Sequence, residues 1–182
     1  MSRARGGDLD AYGALVARYS ALAHRTAYLL GAGSNAEDVV QEAFVKGFRA
    51  LRGFRPDGEF RPWLLRIVAN ETSNLHRSAR RRAAMELRVA GLAAPAGERD
   101  PEAEAISGAS RTALLDAVRA LPERDAMVVT CRYFLDLSEA ETAQVLDWPV
   151  GTVKSRLSRA LARLRPALTG GVGGVGEEAA HG

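Results

Sequence analysis

The sequence predicts an all-α protein of two small helical domains joined by a flexible linker. Three observations carry that expectation. Hydrophobic residues make up 47% of the 182 residues but aromatics only 6%, a balance that suits helices packed through small side chains more than sheets of β-branched and aromatic residues. Apolar residues recur at steps of three and four, and no stretch shows the alternation a half-buried strand needs. A segment bearing Gly91, Pro95, Gly97, Pro101 and Gly108 interrupts that periodicity between two helical blocks. The expected divisions are a first domain at 8–82, a linker at 83–108, a second domain at 109–168, and a disordered glycine-rich tail at 169–182.

Taken in order, the first helix follows from Leu9, Leu15, Val16, Tyr19, Leu22 and Ala23, which share one helical face. The second is expected to start at Ser34, with Glu37 at capping-box spacing, and to run through Val39, Val40, Phe44, Val45 and Phe48. Pro56-Asp57-Gly58 marks a turn. A third helix starts near Pro62, since proline is tolerated in a first turn, and continues through Leu64, Leu65, Ile67, Val68 and Leu75 towards Arg82.

The second block reads as four helices. Residues 112–120 end at Leu121-Pro122, and 123–134 form the next helix, with Cys131 inside its apolar pattern. Ser138 and Glu141 then have capping-box spacing for a short helix ending near Leu146. Asp147-Trp148 turns the chain, and Pro149 opens a last helix reaching about Arg165. A short helix, a tight turn and a basic helix form the helix-turn-helix pattern, whose second helix enters the DNA major groove. On that helix Val150, Val153, Leu157, Leu161 and Leu164 are expected to face the core. Lys154, Ser155, Ser158 and Arg159 lie together on another face, suited to base edges and phosphates. Arg156 and Arg163 flank it for phosphate contact, and Thr152 sits beside free backbone N–H groups of the first turn.

Charge supports a polyanionic partner. Lys plus Arg number 25 and Asp plus Glu 22, for a formal net charge of +3. Residues 61–88 nevertheless carry seven arginines against Glu71 and Glu86, and residues 150–165 carry five cations and no acid. Four acids and Arg99 occupy 98–104 between them. Two basic stretches, each on an apolar-periodic segment, suggest two surfaces for nucleic acid.

Other classes are disfavoured. A single cysteine gives neither an internal disulfide nor a multi-cysteine zinc cage, and His24, His76 and His181 lack metal spacing. No nucleophile–base pair, phosphate loop or metal cluster is visible, so neither enzyme activity nor a cofactor is expected. No apolar run reaches the roughly 18 residues of a membrane span, and the start of the chain has no signal-peptide core. A cytoplasmic protein without membrane insertion is the expectation. A free-standing helix-turn-helix regulator, whose first block serves sensing or dimerisation, is the runner-up reading. A basic third helix bearing Asn70 is unneeded in such a regulator.

Three motifs in one order narrow the choice: Ala36-Glu37-Asp38-Val39-Val40-Gln41-Glu42-Ala43-Phe44, then Phe60-Arg61-Pro62-Trp63-Leu64-Leu65-Arg66-Ile67-Val68-Ala69-Asn70, then Pro149-Val150-Gly151-Thr152-Val153-Lys154-Ser155-Arg156-Leu157. This set resembles the extracytoplasmic-function (ECF) sigma factors of the bacterial sigma-70 family, whose members bind core RNA polymerase and direct promoter-specific initiation. The resemblance implies that residues 8–82 are region 2, a helical bundle, and that residues 109–168 are region 4, the helix-turn-helix. It implies that Asp38, Gln41, Glu42 and Val45 dock on the β′ clamp helices, with region 4 at the β flap. It places Asn70 at the pocket for an extruded −10 base, with Asn74 one turn on and Arg61, Arg66, Arg77 and Arg80 along the backbone. It places Thr152, Lys154, Ser155, Arg156, Ser158 and Arg159 on the −35 element. Ser158 stands where some members carry bulkier residues, and Asn74 where many carry aspartate. An anti-sigma factor is the further partner implied.

Overall fold

In the computed structural model, residues 1–55, 58–90, 116–118 and 120–170 are described. A short α1 (Ser2–Arg5) leads into α2 (Leu9–Ala27), whose N-cap Asp8 accepts the Ala11 N–H at 2.9 Å and also pairs with Arg3. One wide π-type turn (Tyr28–Ala32) and one 3-10 turn (Gly33–Asn35) carry the chain into α3 (Ala36–Ala50). A 3-10 turn at Leu51–Gly53 precedes the long α4 (Phe60–Ala90). In the second module, α5 (Glu123–Val129) continues as a π-type turn through Phe134, followed by α6 (Glu139–Leu146) and α7 (Val150–Gly170).

Three apolar clusters organise these helices. The first lies inside the N-terminal module, where Ala23, Ala27, Ala43, Leu64 and Val68 are fully sequestered beneath an aromatic group of Tyr12, Phe44, Phe54 and Phe60. Small residues let α2, α3 and α4 approach closely, and Trp63 stacks edge-on to Phe54, with ring centroids 5.0 Å apart. Gly47 is part of this fit, because a Cβ there would meet the Tyr12 hydroxyl at 3.2 Å. That hydroxyl donates to the Phe44 carbonyl at 2.6 Å, and burial pushes its pKa up to about 12. A third cluster, with Val118, Leu121, Val129, Ala160 and Leu164, is internal to the second module.

The middle cluster crosses from one module to the other. Leu30, Leu65 and Ala69 from the first pack with Val128, Cys131, Leu137, Val145 and Val153 from the second. The Cys131 thiol is fully buried there, and desolvation raises its pKa to about 12.

Several sequence expectations need correction. Ser34 makes no capping bond and lies in the 3-10 turn, with α3 starting at Ala36. The cause is the positive φ of Gly31 and Gly33, 95° and 54°, which bends the chain into tight turns before the helix opens. Leu9 is 69% exposed, one turn before Tyr12, the first buried residue of α2. Val150, expected in the core, is 42% exposed in the first turn of α7, whereas Ala160 is fully buried. Helix α4 continues to Ala90, into the segment expected as linker, and α7 continues to Gly170. The expected turn residues Pro56 and Asp57, the rest of the linker at 91–108, the helix start at 112–115 and the tail at 171–182 lie outside the described residues.

The Ser138 cap forms as expected: its hydroxyl accepts the Glu141 N–H at 3.2 Å, and Glu141 Oε2 accepts the Ser138 N–H at 2.7 Å. Ser138→Ala should therefore lower thermal stability by about 1 kcal/mol, measurable by calorimetry. The Ser138 N–H, with help from the Ser138 hydroxyl and from Arg61 and Arg132, holds the Glu141 carboxyl below its ordinary value. A depressed carboxylate pKa stabilises the fold above the unfolded-state value and loses that effect as pH falls through the folded-state value. The stability gap between wild type and Glu141→Gln should close on acidification through the carboxylate range, and a gap constant with pH would contradict this assignment.

Candidate nucleic-acid interface

Helix α4 presents the first surface. Asn70 is exposed and lines a polar cavity of about 420 Å³ between α4 and the second module, with Ser73, Arg77, Arg80, Arg124 and Trp148. Asn74, a turn further on, accepts a bond from Arg77 Nη2 at 2.5 Å and donates to Glu71 at 3.3 Å. The amide is thereby oriented and Arg77 is held beside it. Arg66 is half-buried on the same helix.

Two of the expected phosphate contacts are instead engaged with the second module. Arg61 donates from Nη2 to the Leu135 carbonyl at 2.7 Å and from Nη1 to Glu141 at 3.3 Å. Arg80 pairs with Glu123 at 3.0 Å. His76 lies between: its Nε2 donates to the Gly31 carbonyl at 2.9 Å, and its Nδ1 is 3.7 Å from the same Glu123. Gly31 must be glycine for this contact, since a Cβ would meet the His76 ring at 3.2 Å. Together Arg61, Leu65, Ala69, His76 and Arg80 make one stripe along α4 that faces the second module, with Leu65 and Ala69 buried and Arg80 at its exposed rim. Their spacing of four, four, seven and four was visible in the sequence, but nothing there told a module-facing stripe from a core-facing one.

The second surface is on α7. Asp147 at φ 55° and ψ 46° makes the left-handed turn after α6, which aspartate tolerates, and Trp148 N–H closes it on the Ala143 carbonyl at 3.0 Å. The Pro149 carbonyl then accepts from Thr152 and Val153, starting α7. Val153, Ala160 and Leu164 face inward, leaving Lys154, Ser155, Ser158 and Arg159 exposed together and Thr152 half-buried at the helix start. Lys154 is 3.5 Å from Glu139 of α6, and Arg159 Nε donates to the Ser155 carbonyl at 3.2 Å.

Arg156 behaves differently from its neighbours. Its side chain is 22% exposed, bonded to Asp125 of α5 at 3.0 Å, and its guanidinium lies 5.4 Å from the Trp148 ring centroid. Arg163, two turns on, meets the other Asp125 oxygen at 2.5 Å. Asp125 is 3% exposed. Sequence reading passed over this acid because it falls one residue from a charged neighbour in an ordinary helix start.

A third surface lies on α3. Asp38, Gln41 and Glu42 are exposed, and Val45 is 44% exposed. Beside them Tyr12, Phe44, Val45, Phe48 and Arg49 line a shallow apolar groove. Lys46 pairs with Glu42 at 3.3 Å and Glu71 at 2.6 Å, and the Glu71 bond raises its pKa. The pairing leaves Asp38 as the acidic end of that face. Among the described residues no group of three or more His, Cys, Asp or Glu could hold a metal ion, and no helix is long and apolar enough to cross a membrane.

Residues 15–82 match the family model described as Sigma-70 region 2, and residues 111–164 match Sigma-70, region 4. The ECF RNA polymerase sigma factor BldN of Streptomyces coelicolor is 37% identical over 172 residues; the match covers 91% of this chain and 64% of BldN. The ECF RNA polymerase sigma-E factor of Escherichia coli K12 is 36% identical over 171 residues, covering 88% of this chain and 87% of that one. Among solved structures, CnrH in complex with the cytosolic domain of CnrY superposes with a TM-score of 0.66 at 29% identity, covering 93% and 94% of the two chains. RpoE of Bartonella quintana, solved with the anti-sigma factor NepR, shares the fold at a TM-score of 0.66 and 21% identity, covering 87% of this chain and 96% of its own. With both regions present in order, the chain belongs to the ECF sigma factors of the sigma-70 family, non-catalytic proteins that bind RNA polymerase and direct transcription initiation.

Proposed function

We propose that the three surfaces divide the work of initiation. Helix α4 reads the −10 element, with Asn70 offering its amide to an extruded base, Asn74 supporting it, and Arg61, Arg66, Arg77 and Arg80 following the backbone. Helix α7 reads the −35 element through Lys154, Ser155, Ser158 and Arg159, with Thr152 at a phosphate. Arg156, bound to Asp125, lies at the margin of that set. Asp38, Gln41, Glu42 and Val45, with the apolar groove beside them, dock on the clamp helices of core polymerase, and the second module meets its flap. The work is done in the cytoplasm, where the chromosome and polymerase are.

The observation that carries this reading is that Asn70 and the row Lys154, Ser155, Ser158 and Arg159 are solvent-exposed while Leu64, Leu65, Val68 and Ala69 of α4 and Val153, Ala160 and Leu164 of α7 are buried. An amide has both a donor and an acceptor for a base edge, and holding bases out of the stack needs cations along the backbone. Two tethered modules on one promoter also gain from effective concentration.

Arg61 and Arg80 cannot hold the second module and a phosphate at once, so promoter binding requires the modules to part. A protein that clamps them together would block both DNA surfaces. An anti-sigma factor would be a partner of that kind, and RpoE of Bartonella quintana, which shares this fold, was solved in complex with the anti-sigma factor NepR.

Asn70→Ala should reduce open-complex formation by about tenfold or more, in line with the roughly 1–3 kcal/mol that a base-specific contact supplies, while leaving core binding intact. Run-off transcription and potassium permanganate footprinting with core polymerase would check both; a loss of core binding instead, or DNA recognition without polymerase, would favour a free-standing regulator. A double-mutant cycle on Arg61 and Glu141 should give a coupling of about 0.5–1 kcal/mol in the free protein, as for partly exposed ion pairs. That coupling should vanish in the promoter complex, and zero coupling in both states would mean the modules are apart in solution.

A further inference from the structure

We propose that Asp125 is a positioning residue for promoter recognition: from α5 it ties down Arg156 and Arg163, sets the pose of α7, and keeps those two cations off the DNA. The inference rests on the reading of α7 as the −35 helix.

Asp125 is buried, and each of its oxygens takes one guanidinium, Oδ1 from Arg156 and Oδ2 from Arg163. A carboxylate that deep keeps its charge only if it is paired and hydrogen-bonded, and two arginines do this at once. The partners are seven residues apart, two turns of α7, so the acid fixes both the rotation of the helix and its position along its axis. The lock extends further. Arg156 also stacks on Trp148 in the turn between α6 and α7, and Arg124 approaches the same ring at 5.8 Å. One buried acid thereby joins α5, the turn and the reading helix.

At about 100° per residue, Arg156 and Arg163 point roughly a third of a turn away from the centre of the row of Lys154, Ser155, Ser158 and Arg159, just beyond Arg159 at its edge. They occupy the border between that row and the inward-facing Val153, Ala160 and Leu164. A phosphate there would have to displace a buried carboxylate that already holds both guanidinium groups. The sequence counts five cations on this segment, but two of them are committed to an acid on another helix. Specificity benefits, because phosphate contacts add affinity without reading sequence.

The test uses holoenzyme assembled from core polymerase and the full chain, binding promoter DNA over a salt series. Each lost phosphate contact flattens the log–log salt slope by about 0.9. Arg159→Gln should flatten it by that amount. Arg163→Gln, at a half-exposed side chain, should leave the slope unchanged and lower discrimination between intact and scrambled −35 elements by about three- to tenfold, at equal core binding. Asp125→Asn should steepen the slope by about one to two contacts as the freed arginines reach phosphates, again with reduced discrimination. A slope flattened by Arg163→Gln overturns the proposal, as does unchanged discrimination in both variants. If Asp125→Asn does not fold, Arg163→Gln decides alone. If scrambling the −35 element has no effect on the wild type, the reading of α7 fails and takes the proposal with it; a wild-type dependence with a flattened Arg163→Gln slope removes this proposal only.

Discussion

Helix α4 has more apolar face than one small module can bury, and the rest of the architecture follows from that. Leu64 and Val68 close the core against α2 and α3, while Leu65 and Ala69, one position round, lie in the cluster shared with the second module. A chain of this kind gains little from leaving such a stripe in water, since burying apolar side chains is the main favourable term in folding. The second module supplies the cover through Val128, Leu137 and Val145. The same helix carries Asn70 and the arginines of the proposed −10 surface, so packing and recognition compete for one element.

The competition is weighted by charge. Glu123 and Glu141 reach across to Arg80 and Arg61, both partly exposed pairs that contribute modestly and weaken with salt. The apolar seam is the stronger part of the contact and is insensitive to screening. An arrangement held by a dry seam with a wet, ionic rim can be reopened by a partner that offers its own apolar and anionic surfaces.

Much of this was legible in sequence because it is local. Helix existence follows from periodicity, and the Ser138–Glu141 cap follows from spacing where no upstream turn interferes, since both partners sit within one turn. The resemblance to ECF sigma factors also rests on contiguous motifs. Where local rules competed, sequence reading failed. Ser34 and Glu37 have the same spacing as the real cap, but Gly31 and Gly33 upstream take positive φ and shift the helix start. Leu9 and Val150 belong to apolar stripes by count, yet both stand in a first turn, where a helix end projects beyond its neighbours. Spacing placed Arg159 on the exposed row of α7 and Arg156 on its flank, but the buried Asp125 that holds Arg156 was not visible from either.

By itself the sequence determined the helical class, the family resemblance and the short helix, turn and basic helix of α6 and α7. These depend on propensity, periodicity and capping, which act within a few residues. Tertiary structure alone decided which face of α4 meets the second module, which arginines are neutralised and which stay exposed. Those outcomes depend on contacts between residues 30 to 80 positions apart, such as Asp125 with Arg156 and Arg61 with Glu141, and no local pattern encodes a partner at that distance.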